Sequence, residues 1–388
     1  LTMTSTNTIW DVAVIGTGMG GATLGYALAK AGHRVVFLEK GRAEFPGASD
    51  DLALDSEDPV VRLENGGWPT PITGNTGGAQ SRFFAPLGCG SGGSTLLYAA
   101  ALERFDPIDF RRGREGQPPA ADWPLSFDQM LPYYRQAEAL FRVRGTWDPL
   151  RPDDGASLLA PPPLTGCDEH FAESLGAAGM HPYRLHVAFA YEPDCSECLG
   201  YVCRRKCKGD ARRICVEPAL ATGNAQLLDG FEVRRLEADA GSVREVVGRR
   251  DGEDVSIRAR IVVLSAGAYF SPVLLLNSAN AYWPEGLANR SGQVGRNLMF
   301  HASDHIAVWP RGDRPAKGPR KTLAFRDFYL HEGKKLGAVQ STGRTVGYGY
   351  IVYFMKSQFD RSRWRWFKPL RPLLRIPAYL ASYLFGRA

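Results

Sequence analysis

Residues 11–42, DVAVIGTGMGGATLGYALAKAGHRVVFLEKGR, decide the fold. Val12-Ala13-Val14-Ile15 is an unbroken apolar run, as a parallel strand shows when both of its faces are covered. The run ends in Gly16-Thr17-Gly18-Met19-Gly20-Gly21, a G-x-G-x-x-G. A helical pattern follows, with Leu24, Ala27, Leu28 and Ala31 on one face and Gly32 as its stop. A second strand, Arg34 to Leu38, delivers Glu39, which lies 23 residues after Gly16.

Each part has a physical task. Gly16 permits the tight turn out of the strand. Gly18 carries no Cβ to hold a diphosphate off the backbone, and Gly21 lets helix and strand pack closely. The helix N-terminus offers unpaired N–H groups and a partial positive charge to phosphate. Glu39 is placed to accept hydrogen bonds from ribose hydroxyls. A lone G-x-G-x-x-G is weak, because glycine is common in turns. Strand, turn, helix, second strand and acid in this order define a dinucleotide site. The acid disfavours a 2′-phosphate and so disfavours NADP. NAD and FAD share the adenosine ribose diol, and the motif alone does not separate them.

A chain of 388 residues has length for a large core, split into two domains. A net charge of +6 is too mild to argue for nucleic acid, and the basic residues do not interleave with aromatics in an RNA-binding pattern. The opening LTMTSTNTIW reads as a short, polar, frayed lead with no signal peptide, and no run of 18 apolar residues spans a membrane. The expected compartment is the cytoplasm.

Residues 45–75 are rich in Gly, Pro and Asp and read as a long surface excursion. The second informative stretch is PLGCGSGGSTLLYAAALER, residues 86–104. Its turn, with Gly88, Gly92, Gly93, Ser94 and Thr95, is expected to feed a helix and to present backbone N–H groups to phosphate or a flat ring. Ser126 is a candidate N-cap for a helix carrying Met130, Leu131, Tyr134 and Ala137 on one side. Residues 150–166 form a Pro-rich bend. Residues 261–264 are a further buried-strand run, leading into Ser265-Ala266-Gly267-Ala268, whose small side chains allow close approach to a cofactor. After residue 301 alternating segments such as Tyr348 to Met355 read as strands of an antiparallel sheet.

Several ordered blocks resemble the glucose–methanol–choline (GMC) family of flavin-dependent oxidoreductases. They are the fingerprint with LEKGR behind it, GSGGST, FDPIDF, DWPLSFDQMLPYYRQAE, VVLSAGAYFSPVLLLNSA at 262–279 and VGRNLMFH at 294–301. The resemblance implies an α/β fold. A Rossmann-like FAD-binding domain (8–110 and 185–300) would join an antiparallel-sheet substrate domain (111–184 and 301–388). It implies FAD as the cofactor and an alcohol as the small-molecule substrate, with the electron acceptor open. It adds Lys40 and Gly41 to the cofactor contacts, and Val233 as a side chain packed on the adenine. The sequence departs from the family at Tyr98, where many members have Asn. The family's His-bearing segment beside the flavin is expected past Ala388, so the chain reads as C-terminally incomplete. None of the seven histidines lies in that context, His301 and His305 read as structural, and no catalytic residue is assigned. An NAD-dependent dehydrogenase and a non-catalytic flavin-binding or electron-passing subunit are the alternative functions.

Five of the seven cysteines fall between 195 and 215, in CSECLGYVCRRKCKGDARRIC. Thiolates spaced C-x2-C-x4-C-x3-C can hold zinc or an iron–sulfur cluster, and the neighbouring Arg204, Arg205, Lys206 and Lys208 would stabilise them. A local disulfide or reduced, buried thiols are the other readings. Some family members carry a Cys-ligated iron–sulfur cluster in a comparable region, which makes Cys198, Cys203 and Cys207 the candidate ligands. Residues 361–388 hold seven basic residues and no acid, with Trp364, Trp366 and Phe367 among them. They read as a basic patch or substrate-entry rim, or as a face lying on an anionic membrane. The aromatic character of 323–385 points to a bulky or lipophilic alcohol such as a sterol or long-chain alcohol.

Overall fold

The architecture follows from where the apolar runs pair. The computed structural model describes residues 4–45, 56–76, 79–110, 123–151, 155–193, 195, 197–299, 301, 303–304, 306, 318–332, 334–343 and 348–385. Strand β1 (Thr4–Ile15), helix α1 (Met19–Lys30) and strand β2 (Val35–Leu38) form the first crossover. A two-stranded ribbon, β3 (Ile72–Thr76) with β4 (Ala79–Phe83), follows. Further along come the short β5 (Tyr183–Arg184), β6 (Ala225–Leu228), β7 (Glu232–Ala238), β8 (Val243–Arg250) and β9 (Glu253–Leu264). Six of these make one sheet in the order β6-β2-β1-β9-β8-β7. The first four are parallel, and β8 and β7 are added antiparallel. A two-residue turn joins β8 to β9. Both its residues, Asp251 and Gly252, have positive φ, as the right-handed twist of a hairpin demands.

Both faces of the central strands are covered, which is why they are apolar without alternation. Val12, Val14, Val35 and Phe37 pack with Ala29 of α1 on one side. Ala13, Ile15, Val36 and Leu38 pack with Leu274 of the helix Gly267–Asn277 on the other. Each such valine, leucine, isoleucine or phenylalanine taken from water contributes about 1.5–3 kcal/mol. The contact face of α1 differs from the expected one. Gly21, Ala22, Gly25 and Ala29 are buried while Leu24 is 41% exposed. Helix and sheet approach so closely that only the small-residue stripe fits between them.

Three other expectations are corrected. Residues 4–10 are not frayed: they extend β1 alongside β9, with Thr4 opposite Val255 and Trp10 opposite Ala259, across a bulge between Ser5 and Ile9. The long β9 needs a partner for its backbone groups there. No helix follows the GSGGST turn. A 3-10 turn, Gly93–Leu96, passes into extended chain, where Leu102 N–H donates to His186 O and Ala188 N–H to Ala100 O. Tyr348 to Met355 is not a strand but the start of the helix Tyr348–Arg361, with Val352 and Lys356 buried and Tyr353 and Phe354 exposed. A short apolar run satisfies either period, and here the 3.6-residue period prevails.

An antiparallel sheet is present but small: β10 (Leu323–Phe325) lies between β5 and β11 (Val339–Gln340). Ser126 caps the helix Phe127–Phe141 in a full capping box with Gln129. The buried residues of that helix are Glu138 and Phe141, further along than the expected stripe. His305 lies outside the described residues, and His301 is exposed. No helix among the described residues is long and apolar enough to cross a membrane.

Candidate functional site

Above the C-terminal ends of β1 and β9 lies a cleft of about 1250 Å³. Its floor is the fingerprint turn. Gly16 has φ +95°, and a Cβ there would sit 2.5 Å from Ser265 O. At Gly21 a Cβ would sit 2.2 Å from Gly16 O, so α1 could not seat against β1. Gly18 is different: it N-caps α1, and nothing lies within 4 Å of where its Cβ would be. No side chain caps α1, and none caps the helix Gly267–Asn277, whose first residues also line the cleft. Two helix N-termini therefore turn unpaired N–H groups toward the same space, a setting that suits a diphosphate.

The second glycine turn forms one wall. It rests on the first, since a Cβ on Gly93 would come within 2.8 Å of Gly18 Cα. Glu39 joins the two. Its Oε2 accepts from Thr17 N–H (3.1 Å) and Thr17 Oγ1 (2.6 Å). Its Oε1 accepts from Gly41 N–H (3.0 Å) and Gly90 N–H (3.2 Å). Thr17 Oγ1 in turn accepts from Gly92 N–H (3.1 Å). Glu39 is only 6% exposed, and burial pushes its pKa up while the surrounding donors pull it back. The acid expected to hold a ribose is thus also the clamp that fixes the turns.

Of the residues expected at the cofactor, Gly16, Gly18, Met19, Gly20, Glu39, Lys40, Gly88, Gly93, Ser94, Thr95, Val233, Ala266 and Gly267 line the cleft. Gly21, Gly41 and Gly92 do not; they stand behind the wall and set its backbone. Sequence reasoning missed the aromatic end of the cleft. Trp68 stacks on Phe270 with ring centroids 3.8 Å apart, and Lys40 Nζ lies 4.5 Å above the indole while pairing with Glu232 at 2.6 Å. Trp68 belongs to the stretch read as a surface excursion. Its one signal was a tryptophan set among glycines and prolines. Tyr98 also lines the cleft, but its hydroxyl donates to Gly209 O (2.6 Å) and burial pushes its pKa up. No histidine is among the cleft-lining residues described.

The cysteines are placed differently from a metal centre. All seven are thiols, and among the described residues no three His, Cys, Asp or Glu side chains are arranged to hold a metal ion. Cys198, Cys203 and Cys207, the candidate ligands, are not brought together in such a set. Their side chains are hydrogen-bonded in series, Cys198 to Cys203, Cys203 to Cys207 and Cys207 to Cys195.

A parallel sheet with a glycine turn, an uncapped helix and an acid after the second strand defines a dinucleotide-binding protein of the Rossmann-like class. Residues 14–303 match the profile of the GMC oxidoreductase family, and the chain belongs to it. It is 31% identical to a 2-methyl-1,2-propanediol dehydrogenase of Mycolicibacterium austroafricanum, over 89% of this chain and 65% of that protein. It is 30% identical to a 6'''-hydroxyparomomycin C oxidase of Streptomyces lividus, over 83% of this chain and 61% of that one. A pyridoxine 4-oxidase crystal structure (Mesorbium loti) superposes with a TM-score of 0.48 at 20% identity, covering 70% of this chain and 52% of the other. The chain thus spans under two thirds of the length of these relatives. The family is one of flavoproteins, and the cleft fits FAD. It has open space at Gly18, two uncapped helix N-termini for the diphosphate, and Lys40, Glu232 and Val233 at one end.

Proposed function

We propose that the protein is the flavin-binding part of an FAD-dependent oxidoreductase acting on the CH–OH group of an alcohol. The observation that carries the reading is the cleft at Gly18, free of side chains where a diphosphate would lie and backed by family membership. Bound FAD supplies the two-electron acceptor for alcohol oxidation. The chain's own residues bind and orient. The N–H groups at the start of α1 would hold the diphosphate, while Glu39 locks the two glycine turns together and the Trp68–Phe270 stack closes one end. The Tyr98 hydroxyl is committed as a donor to Gly209 O, and burial pushes its pKa up. Relatives named for a propanediol and for a hydroxyparomomycin support alcohol chemistry.

The protein is expected to purify yellow and to release FAD, with no nicotinamide, on denaturation. A colourless protein that takes up NAD in place of FAD would overturn the reading.

The bulky or lipophilic alcohol is the finer reading. It is supported by the apolar surface of the last helices, where Trp366 is 78%, Tyr379 65% and Ile376 62% exposed. Under this reading kcat/KM rises along a series of primary alcohols of increasing chain length. A flat series, or a preference for short diols, rejects it. The same aromatic and basic surface supports contact with an anionic membrane. Co-sedimentation with phosphatidylglycerol vesicles but not with phosphatidylcholine vesicles is expected, and equal sedimentation with both discards that contact.

A further inference from the structure

The cleft has two ends, and they belong to different parts of the core. At one end Val233 and Ala266 pack on the cluster of Ile15, Leu38 and Leu274, beside the Lys40–Glu232 pair and the Trp68–Phe270 stack. At the other end Met19 and Tyr98 pack on a separate cluster that holds Ala22 of α1, Phe189 and Ala211. The fingerprint turn, running from Ile15 to Ala22, joins the two clusters.

Tyr98 is tethered at three points. Its N–H donates to Ser94 O (3.1 Å), and its carbonyl oxygen accepts from the Lys208 ammonium (3.3 Å). Its hydroxyl donates to Gly209 O (2.6 Å). The ring is therefore held in one orientation, packed on the core on one side and lining the cleft on the other.

From this placement we propose that the Tyr98 end of the cleft takes the isoalloxazine, with the Tyr98 ring as the flat wall on which it rests. The inference rests on the FAD reading above. A dinucleotide whose adenosine ribose lies at Glu39 has its adenine on the side of Val233 and Lys40. Its diphosphate belongs at the start of α1, and the half beyond the diphosphate then runs toward Met19 and Tyr98. That half ends in a large flat aromatic, which gains most from a ring already fixed for stacking. The tyrosine found where many GMC members have Asn thereby acquires a role.

Two measurements on the full chain test the seat separately from the FAD reading. In the deflavinated chain, calorimetric titration with FAD and with ADP compares the whole cofactor with its adenosine diphosphate half. Tyr98→Ala is expected to weaken FAD about two- to tenfold, as the loss of one aromatic stack does, and to leave ADP unchanged. Tyr98→Phe keeps the ring and is expected to bind both as the wild type does. In the holoprotein, a phenol touching the excited flavin donates an electron and quenches its emission, whereas a phenylalanine ring does not. Tyr98→Phe is therefore expected to brighten the bound flavin. Trp68→Phe and Tyr269→Phe, which change oxidisable rings elsewhere in the lining, are expected to leave it dim. Should Tyr98→Ala not fold, the emission of Tyr98→Phe decides alone. Equal losses of FAD and ADP in Tyr98→Ala, or brightening by Trp68→Phe in place of Tyr98→Phe, would put the flavin at the opposite end and overturn the assignment. Unchanged FAD affinity in Tyr98→Ala, or unchanged emission in Tyr98→Phe, would overturn it as well. A wild-type chain that binds ADP but not FAD would reject FAD as the cofactor, and this seat with it.

Discussion

Gly18→Ala is expected to leave the fold intact and to weaken FAD binding at least tenfold, whereas Gly21→Ala is expected to lower both stability and FAD binding. The two glycines are three residues apart in one turn, yet they meet different surroundings. At Gly18 the backbone is extended, with φ −65° and ψ −174°, which alanine adopts readily, and among the described residues beyond its own turn no atom lies within 4 Å of the added methyl. Only a diphosphate would meet it. A tenfold loss corresponds to about 1.4 kcal/mol, a modest penalty for a methyl pressed on a phosphate. At Gly21 the methyl would sit 2.2 Å from the carbonyl oxygen of Gly16 and 3.0 Å from Val14 Cγ1. A backbone oxygen cannot rotate aside, so α1 must lift from the sheet, at a cost of roughly 1–3 kcal/mol or more. Thermal unfolding of the apoproteins with a flavin-fluorescence titration checks the pair. Equal melting temperatures for both variants, or unchanged affinity in Gly18→Ala, would refute the placement of the diphosphate.

Removing one partner of the Arg104–Glu138 pair is expected to destabilise the protein by about 3–5 kcal/mol. The two side chains are 2% and 5% exposed, and the guanidinium grips the carboxylate at 2.6 and 2.7 Å. Ser157 N–H adds a third donor to Glu138 at 2.9 Å. Glu138→Ala leaves a guanidinium buried without its carboxylate. Arg104→Ala leaves the carboxylate with the backbone donor alone, and the double variant is expected to recover part of the loss. The pair ties the helix Phe127–Phe141 to the segment running out of the second glycine turn, so urea unfolding followed by flavin release should show both events together. Single variants within about 1 kcal/mol of wild type, the usual range for exposed pairs, would show that water screens the contact.

The first crossover and the sheet it begins were legible because their causes are local. A strand buried on both faces must be apolar throughout, and a turn whose backbone approaches other backbone must lack side chains. Residues 12–39 meet both demands within one stretch. The face of α1 was misread because periodicity finds hydrophobic stripes, and the contact here is decided by size. Tyr348 to Met355 was misread because eight apolar residues fit either period, and only the burial of Val352 and Lys356 separates them.

The functional site divides the same way. Sequence alone fixed the nucleotide turn, the acid after β2 and the family, since each depends on residue type at fixed spacing. Tertiary structure alone decided three things that depend on meetings across long stretches of chain. Glu39 closes onto Gly90, 51 residues away, as a clamp. Trp68 stacks on Phe270 to end the cleft. The cysteine run is tied to the wall of the cleft through the buried Lys208, whose ammonium donates to Leu96 O, 112 residues away.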